Sequence, residues 1–363
     1  MTDKSVLIVG ASGVVGRAAI EHFAALPDWR VTGLSRRIPD TQGDATLLKL
    51  DLMDKTACEH VLSQLGHVTH VVYAALYEEP GLVSGWREDH QMQTNLEMLE
   101  NFFTPLRKAA KDLQHFTLLQ GTKAYGAHLH AIAVPARERW ARDPHPNFYW
   151  LQEDFIRTEQ KEQDWQWTIM RPQIIFGHAL GVPMNMLAAI GAYGAIRKAE
   201  GKPLSFPGGA PVVFEAVDAR LLARAFEWAG TNPDCGNHIF NITNGDVFVW
   251  RNVWPTIADA LGIDVGDDEP ILLQEEMPKR ADLWDQQVAK YGLQPNSLQG
   301  LVGDSFYYAD FSFAYGLKES APPALVSTIK ARQFGFHDCI DTEDMLHDWF
   351  KRLQDMKIIP PVG

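Results

Sequence analysis

Three cysteines in 363 residues, Cys58, Cys235 and Cys339, are too few and too far apart for a disulfide framework. No CxxC pair or Cys/His cluster has zinc-like spacing, so no metal is expected. No apolar run approaches the ~20 residues that cross a bilayer, and the first ten residues enter a strand without a signal-peptide pattern. A membrane partner is therefore not expected, and the expected location is cytoplasmic. Positive charge is also scarce. The formal net charge of -13 argues against broad attraction to nucleic acid or anionic lipid. Internal repeats and low-complexity tracts are absent. What remains is the composition of an ordinary soluble enzyme, with ample apolar residues for a core.

The informative stretches begin at once. Ser5 to Val9 reads as a buried parallel strand, followed by Gly10-Ala11-Ser12-Gly13-Val14-Val15-Gly16 and a helical pattern from Arg17 to Leu26. Strand, glycine turn and helix in that order suit a dinucleotide: Gly10 for the turn, Gly13 for approach of the pyrophosphate, Gly16 for helix packing. The helix start, with Ser12, Val14 and Val15, presents N–H groups to the anion. The plainer alternative is a glycine turn with no ligand. A second strand, Arg30 to Leu34, ends in Ser35-Arg36-Arg37 with no acid to accept from a ribose 2′-hydroxyl. Arginine suits a 2′-phosphate, so the cofactor expected is NADPH. A third strand, Leu47 to Leu50, leads to Asp51 and Leu52 as candidates beside the adenine; Asp51 also suits an N-cap on a helix beginning near Lys55. A fourth, His70 to Leu76, carries Ala74 where backbone would lie against the cofactor.

Trp86 to Phe103 has a helical stripe of core type, and Phe116 to Leu119 is a fifth strand delivering Gly121-Thr122-Lys123. A polar loop, Arg137 to Pro146, precedes a helix from Phe148 to about Gln163. Trp167 to Met170 is a strand that continues past Arg171-Pro172 through Ile174-Ile175-Phe176-Gly177, with Ile175 a further cofactor candidate. Val212 to Val217 and His238 to Ile242 are later strands. This alternation predicts an α/β fold, a Rossmann-type doubly wound parallel sheet with a smaller, mostly helical C-terminal lobe. Residues 1–178 and 212–246 are assigned to the NADPH-binding domain, 179–211 and 247–363 to the substrate lobe.

Reductases of the short-chain dehydrogenase class commonly place tyrosine and lysine four residues apart on one helix, so that the ammonium lowers the phenol pKa. Here Tyr149 is followed at that spacing by Glu153. Lys123, at the end of the preceding strand, is placed to enter the same space from another element. The serine usual at that strand end is replaced by Gly121-Thr122.

With these features the chain resembles the progesterone 5β-reductase and iridoid synthase family, an atypical extended short-chain dehydrogenase/reductase group. The carriers are the Gly10–Gly16 turn, Ser35-Arg36-Arg37, Gly121-Thr122-Lys123, Asn147-Phe148-Tyr149, Glu153-Asp154, Arg171-Pro172 with Ile175-Phe176-Gly177, and Asn244 to Trp250. The resemblance implies NADPH-dependent reduction of the C=C bond of an enone or enal, with Lys123 and Tyr149 as the catalytic pair. Trp150 and Ala124 depart from the family's frequent tyrosine and histidine, which bears on substrate shape. The implied partner is a small hydrophobic enone or enal, and a homodimer is compatible with a sequence that does not establish one. Two rivals are a carbonyl reductase on the same fold and a non-catalytic NADPH-binding protein. A sugar-nucleotide epimerase is weakened by the missing Tyr-x-x-x-Lys.

Overall fold

The structure, a computed structural model, describes residues 4–39, 43–79, 88–294 and 297–362. The chain divides into two compact units. The first comprises residues 1–173, 219–242 and 326–338, and the second 174–218, 243–325 and 339–363.

In the first unit the strands are β1 (Lys4–Val9), β2 (Trp29–Ser35), β3 (Thr46–Lys49), β4 (His70–Tyr73), β5 (His115–Leu119) and β6 (Gln166–Pro172). With His238–Ile242 they form a seven-stranded sheet in the order His238–Ile242, β6, β5, β4, β1, β2, β3. Every pairing in it is parallel. Val6, Leu7, Ile8 and Val9 are fully buried, as expected of a strand covered on both faces. The helices between β1 and β6 are α1 (Val14–Ala24), α2 (Lys55–Leu62), α3 (Asp89–Ala109) and α4 (Phe148–Gln160), and a further helix, Ala219–Thr231, precedes the seventh strand. On one face Leu99, Phe102, Phe103 and Leu106 of α3 join Phe116, Trp165 and Trp167 in a single apolar core.

The direction in which successive strands are added reverses between β1 and β4. From there the order runs outward through β2 and β3 on one side and through β4, β5 and β6 on the other. In such sheets ligands bind outside the carboxyl ends of the strands at that switch point. The loops following β1 to β5 carry most of the residues singled out from the sequence.

Several expected boundaries shift. Helix α1 starts at Val14 rather than Arg17, so Val14, Val15 and Gly16 lie inside its first turn. Strand β4 stops at Tyr73, three residues before Leu76. Beyond it the backbone bonds to side chains: Asn95 accepts from the Tyr77 N–H at 2.9 Å and Gln91 from that of Glu79 at 2.9 Å. Asp51 is not the cap of α2. Asp54 is, accepting from the Ala57 N–H at 2.9 Å, while Asp51 closes a local turn on the Met53 N–H. Trp86 lies outside the described residues, and α3 extends six residues past Phe103. Helix α4 ends at Gln160, short of Gln163. The strand expected to run on past Pro172 breaks at Gln173: Ile174–Phe176 pairs instead with Ala216–Asp218. Val212 to Val217 is likewise two short strands, Val213–Phe214 and Ala216–Asp218.

These breaks explain why the observed division departs from the expected one. Within the second unit Ile174–Phe176 pairs with Ala216–Asp218 and Val213–Phe214 with Phe248–Val249, so residues 174–178, 212–218 and 243–246 belong there, whereas 326–338 belongs to the first. There the Lys330 ammonium donates to the Ile239 carbonyl at 2.8 Å and the Phe334 ring meets Phe240 at 5.3 Å.

The second unit is mostly helical, with the long helices Met186–Ala199, Trp250–Leu261, Ala281–Tyr291 and Thr342–Asp355. Trp254, Trp284, Tyr193, Phe313 and Phe350 fill its core. Asp310 is buried there, accepting from the Leu273 and Gln274 N–H groups at 2.8 and 2.9 Å and thereby capping the turn that begins at Leu273. Burial pushes its carboxyl up to about 6, against those two bonds, which favour the anion. The folded chain therefore holds this proton more tightly than the unfolded one, and stability contributed by the group falls as pH rises from 3.8 to about 6. Asp310→Asn is expected to remove a stability loss on the order of 2 kcal/mol across that window, flattening the pH dependence of the melting temperature. Thermal melts of both proteins at several pH values check this, and parallel curves would refute it.

Candidate active site

The turn after β1 is tight for a physical reason. Gly10 has φ +90°, and a Cβ there would stand 2.7 Å from the Ala74 carbonyl oxygen. A Cβ on Gly16 would lie 2.2 Å from the Gly10 oxygen. Both glycines are demanded by the chain's own packing. Gly13 is different: its φ is -82° and the nearest atom to a Cβ would be the Gly10 oxygen at an ordinary 3.4 Å. Nothing among the described residues requires glycine there, whereas close approach of an anion to the start of α1 would favour it. No side chain caps that helix start, which leaves it suited to a pyrophosphate.

At the end of β2 the buried Ser35 hydroxyl donates to the Arg37 carbonyl oxygen, closing a turn that leaves Arg36 and Arg37 exposed. Asp51 is exposed and Leu52 buried after β3, and Ala74 is half-buried after β4. Ile175 lies on Ile174–Phe176 in the second unit.

After β5 the chain turns through a short 3-10 helix, Thr122–Tyr125, ended by Gly126 at φ +76°. That turn carries Lys123. Tyr149 sits in the first turn of α4, 8% exposed, in a cluster with Met92, Ala124 and Phe148. Asn147 joins the two elements: its amide oxygen accepts from the Tyr149 N–H at 3.0 Å and its Nδ2 reaches the Lys123 carbonyl at 3.5 Å. An asparagine N-cap stabilises such a helix start by about 1 kcal/mol. His145 steadies Asn147 through Nε2 at 3.1 Å, and is itself held by Asp143 at 2.7 Å.

Lys123 Nζ stands 5.9 Å from the centre of the Tyr149 ring. It also lies 3.8 Å from Glu78 Oε1. Burial pushes the Lys123 ammonium below the usual lysine range, opposed by the Glu78 carboxylate. A Cβ on Gly121 would be 3.3 Å from the Tyr149 hydroxyl, so the missing serine leaves room around the phenol.

Glu153, one turn after Tyr149, cannot replace the usual lysine. It is 2% exposed and receives the Arg142 and Arg157 guanidiniums, each at 2.9 Å, and the Gln120 amide at 2.9 Å. Burial raises its carboxyl, but those bonds outweigh burial and hold it below the ordinary glutamate range. Gln120 passes the link on, accepting from Arg171 Nε at 2.8 Å. Glu153 thus fixes the ends of β5 and β6 against α4 while Lys123 and Tyr149 face each other across the turn. The sequence offered no signal for Glu78 or Gln91; Asn147 was discoverable as an asparagine just ahead of a helical run.

A sequence model of the NAD dependent epimerase/dehydratase family matches residues 6–243. Over nearly their whole lengths the chain is similar to the (S)-8-oxocitronellyl enol synthases of Antirrhinum majus and Nepeta racemosa, each 30% identical. The alignments cover 98% and 99% of this chain and 92% and 94% of those proteins. The chain belongs to the NAD dependent epimerase/dehydratase family, in its iridoid synthase-like group of extended short-chain dehydrogenases/reductases. It is thus an enzyme of NAD(P)-dependent type. The fold agrees with solved members of that wider class. UDP-glucose 4-epimerase from Bifidobacterium longum, in complex with NAD+ and UDP, aligns with TM-score 0.66 at 13% identity over 97% of this chain and 98% of its own. The Bordetella bronchiseptica enzyme WbmG, in complex with NAD and UDP, gives 0.64 at 15% identity over 99% and 97%.

Within this iridoid synthase-like chain, the groups that meet are Lys123, Tyr149, Gly121 and Glu78. Among the described residues no cluster of histidine, cysteine and acidic side chains could hold a metal ion, and no helix is long and apolar enough to span a membrane. A concavity beside α2 and α3, lined by Lys55, Glu59, Glu100 and Lys108 among others, includes none of the candidate site residues.

Proposed function

We propose that the protein reduces the carbon–carbon double bond of an α,β-unsaturated carbonyl compound with NADPH. The observation that carries this reading is the convergence of Lys123 and Tyr149 from separate elements, with Glu153 committed elsewhere. When bound, the nicotinamide supplies hydride to the β-carbon of the substrate. Charge then develops on the carbonyl oxygen, and the Tyr149 hydroxyl donates a hydrogen bond to it. A placed donor facing developing charge is worth on the order of 3 kcal/mol. Lys123 orients the phenol and the ribose and adds its positive field. The α-carbon takes its proton from water. The names of the curated relatives support this direction of chemistry, since an enol is what 1,4-reduction of an enal leaves once its oxygen is protonated.

The N–H groups at the start of α1 receive the pyrophosphate, with Gly13 leaving them accessible. Arg36 and Arg37 receive the 2′-phosphate, which favours NADPH over NADH. The double variant Arg36→Ala/Arg37→Ala is expected to raise KM for NADPH by roughly 10- to 100-fold, the loss of one or two charge-assisted hydrogen bonds, with KM for NADH little changed. Steady-state kinetics with both cofactors decides it.

The substrate is a small hydrophobic enone or enal. Product analysis after incubation with NADPH and such compounds tests the reaction. A saturated carbonyl product is expected. An allylic alcohol would instead assign carbonyl reduction, and no oxidation across a broad panel would reduce the site to cofactor binding.

A further inference from the structure

Glu78 is a nearly buried carboxylate, its side chain 4% exposed, that belongs to neither partner of the candidate pair. It sits just beyond β4, in a segment whose backbone has left the sheet. That segment is held by side chains of α3. Asn95, fully buried, both accepts from the Tyr77 N–H and donates to the Tyr77 carbonyl, at 2.9 Å each. Gln91, 1% exposed, accepts from the Glu79 N–H and donates to Glu78 Oε2, again at 2.9 Å each. Two buried amides on successive turns of one helix therefore grip three consecutive residues. The gripped carboxylate presents Oε1 to Lys123 Nζ at 3.8 Å. A buried acid this well secured costs several kcal/mol to desolvate unless a cation faces it, and Lys123 faces it.

We propose that Glu78 is a positioning residue of the site, its carboxylate, clamped by Gln91, holding the Lys123 ammonium charged and beside the Tyr149 ring. The inference rests on the roles given to Lys123 and Tyr149 above. Among the described contacts, the titratable groups facing Lys123 are Glu78 from the segment after β4 and Tyr149 from α4. Burial alone drives the ammonium toward neutrality, and Glu78 is the group that opposes it. An uncharged Lys123 would lose its field on the phenol while keeping its shape. The arrangement makes the Glu78 carboxylate a determinant of the pH range over which the pair works.

The test is titration of Lys123 itself, by NMR of the protein with its lysines reductively 13C-methylated, the signal assigned by its loss in Lys123→Arg. Glu78→Gln is expected to lower the Lys123 midpoint by about one pH unit or more. The basic limb of the kcat profile should move down by a similar amount. Glu78→Asp should restore part of the shift. Gln91→Leu, which frees the carboxylate without removing it, should move the midpoint in the same direction by less, and it serves if Glu78→Gln does not fold. An unchanged Lys123 midpoint in the folded variants overturns the role of Glu78, whatever the activity. Full activity of Lys123→Ala would instead overturn the assignment of the pair, and the two failures are read from different measurements.

Discussion

Tyr149→Phe is expected to lower kcat by two to three powers of ten, about 3 to 4 kcal/mol of lost stabilisation at the carbonyl oxygen. The ring remains, and with it the contacts to Phe148 and Lys123. The fold and the affinity for NADPH should therefore be largely kept. Lys123→Ala should also cost most of the turnover. It differs in two further respects: it removes a group assigned to the ribose, weakening NADPH, and it takes the ammonium away from the buried Glu78 carboxylate. Removing one partner of a buried pair costs about 3 to 5 kcal/mol, so this variant should melt lower, where Tyr149→Phe should not. Steady-state kinetics, cofactor titration and thermal melts separate the two. Turnover in Tyr149→Phe within twofold of the parent protein would remove the phenol from the mechanism.

The glycine turn gives the second large effect, and it separates folding from binding. Gly16→Ala puts a Cβ 2.2 Å from the Gly10 oxygen, a backbone atom with nowhere to go. A loss of about 3 kcal/mol or more is expected, enough to lower the melting temperature by several degrees with no cofactor present. Gly13→Ala meets nothing closer than 3.4 Å. It should cost no more than about 1 kcal/mol, the preference for glycine over alanine at a helix N-cap. Its effect should fall on NADPH instead, with affinity reduced at least about tenfold because the backbone is held off the pyrophosphate. Calorimetric titration beside melts distinguishes them, and equal cofactor affinity in Gly13→Ala and the parent would sever the turn from the ligand.

Local chemistry made much of this legible beforehand. The valine- and isoleucine-rich run closed by Gly10 identifies β1, because a doubly covered strand has no polar face. The glycine spacing and the displaced lysine could be read because each is a departure from an ordinary residue at a strand end. The errors in the strands have one cause. Whether a strand continues depends on what pairs with it, and Ile174–Phe176 reads the same whether it extends β6 or, as found, pairs with Ala216–Asp218. The lost end of β4 is similar: Tyr77 bonds to Asn95 rather than to a neighbouring strand. Asn95 itself falls in a stripe that looked like plain core, since a buried amide is indistinguishable by periodicity from an exposed one. Glu78 was invisible for the same reason. Its meaning lies in Lys123 and Gln91, which only the fold brings to it.

The first unit is finished by a stretch near the end of the chain. Val326 bridges to Ala136, the Ser327 N–H donates to the Ala136 carbonyl at 2.8 Å, and Phe334 and Phe336 cover Trp228 and Phe240. During synthesis the nucleotide-fold sheet is therefore complete long before its last covering is available. Until residues 326–338 clear the ribosome, Phe240 and Trp228 lack that aromatic covering, and an apolar flank of that kind is a place for nascent chains to stick. Shortening the gene to the span of the family's sequence signature would make that transient exposure permanent.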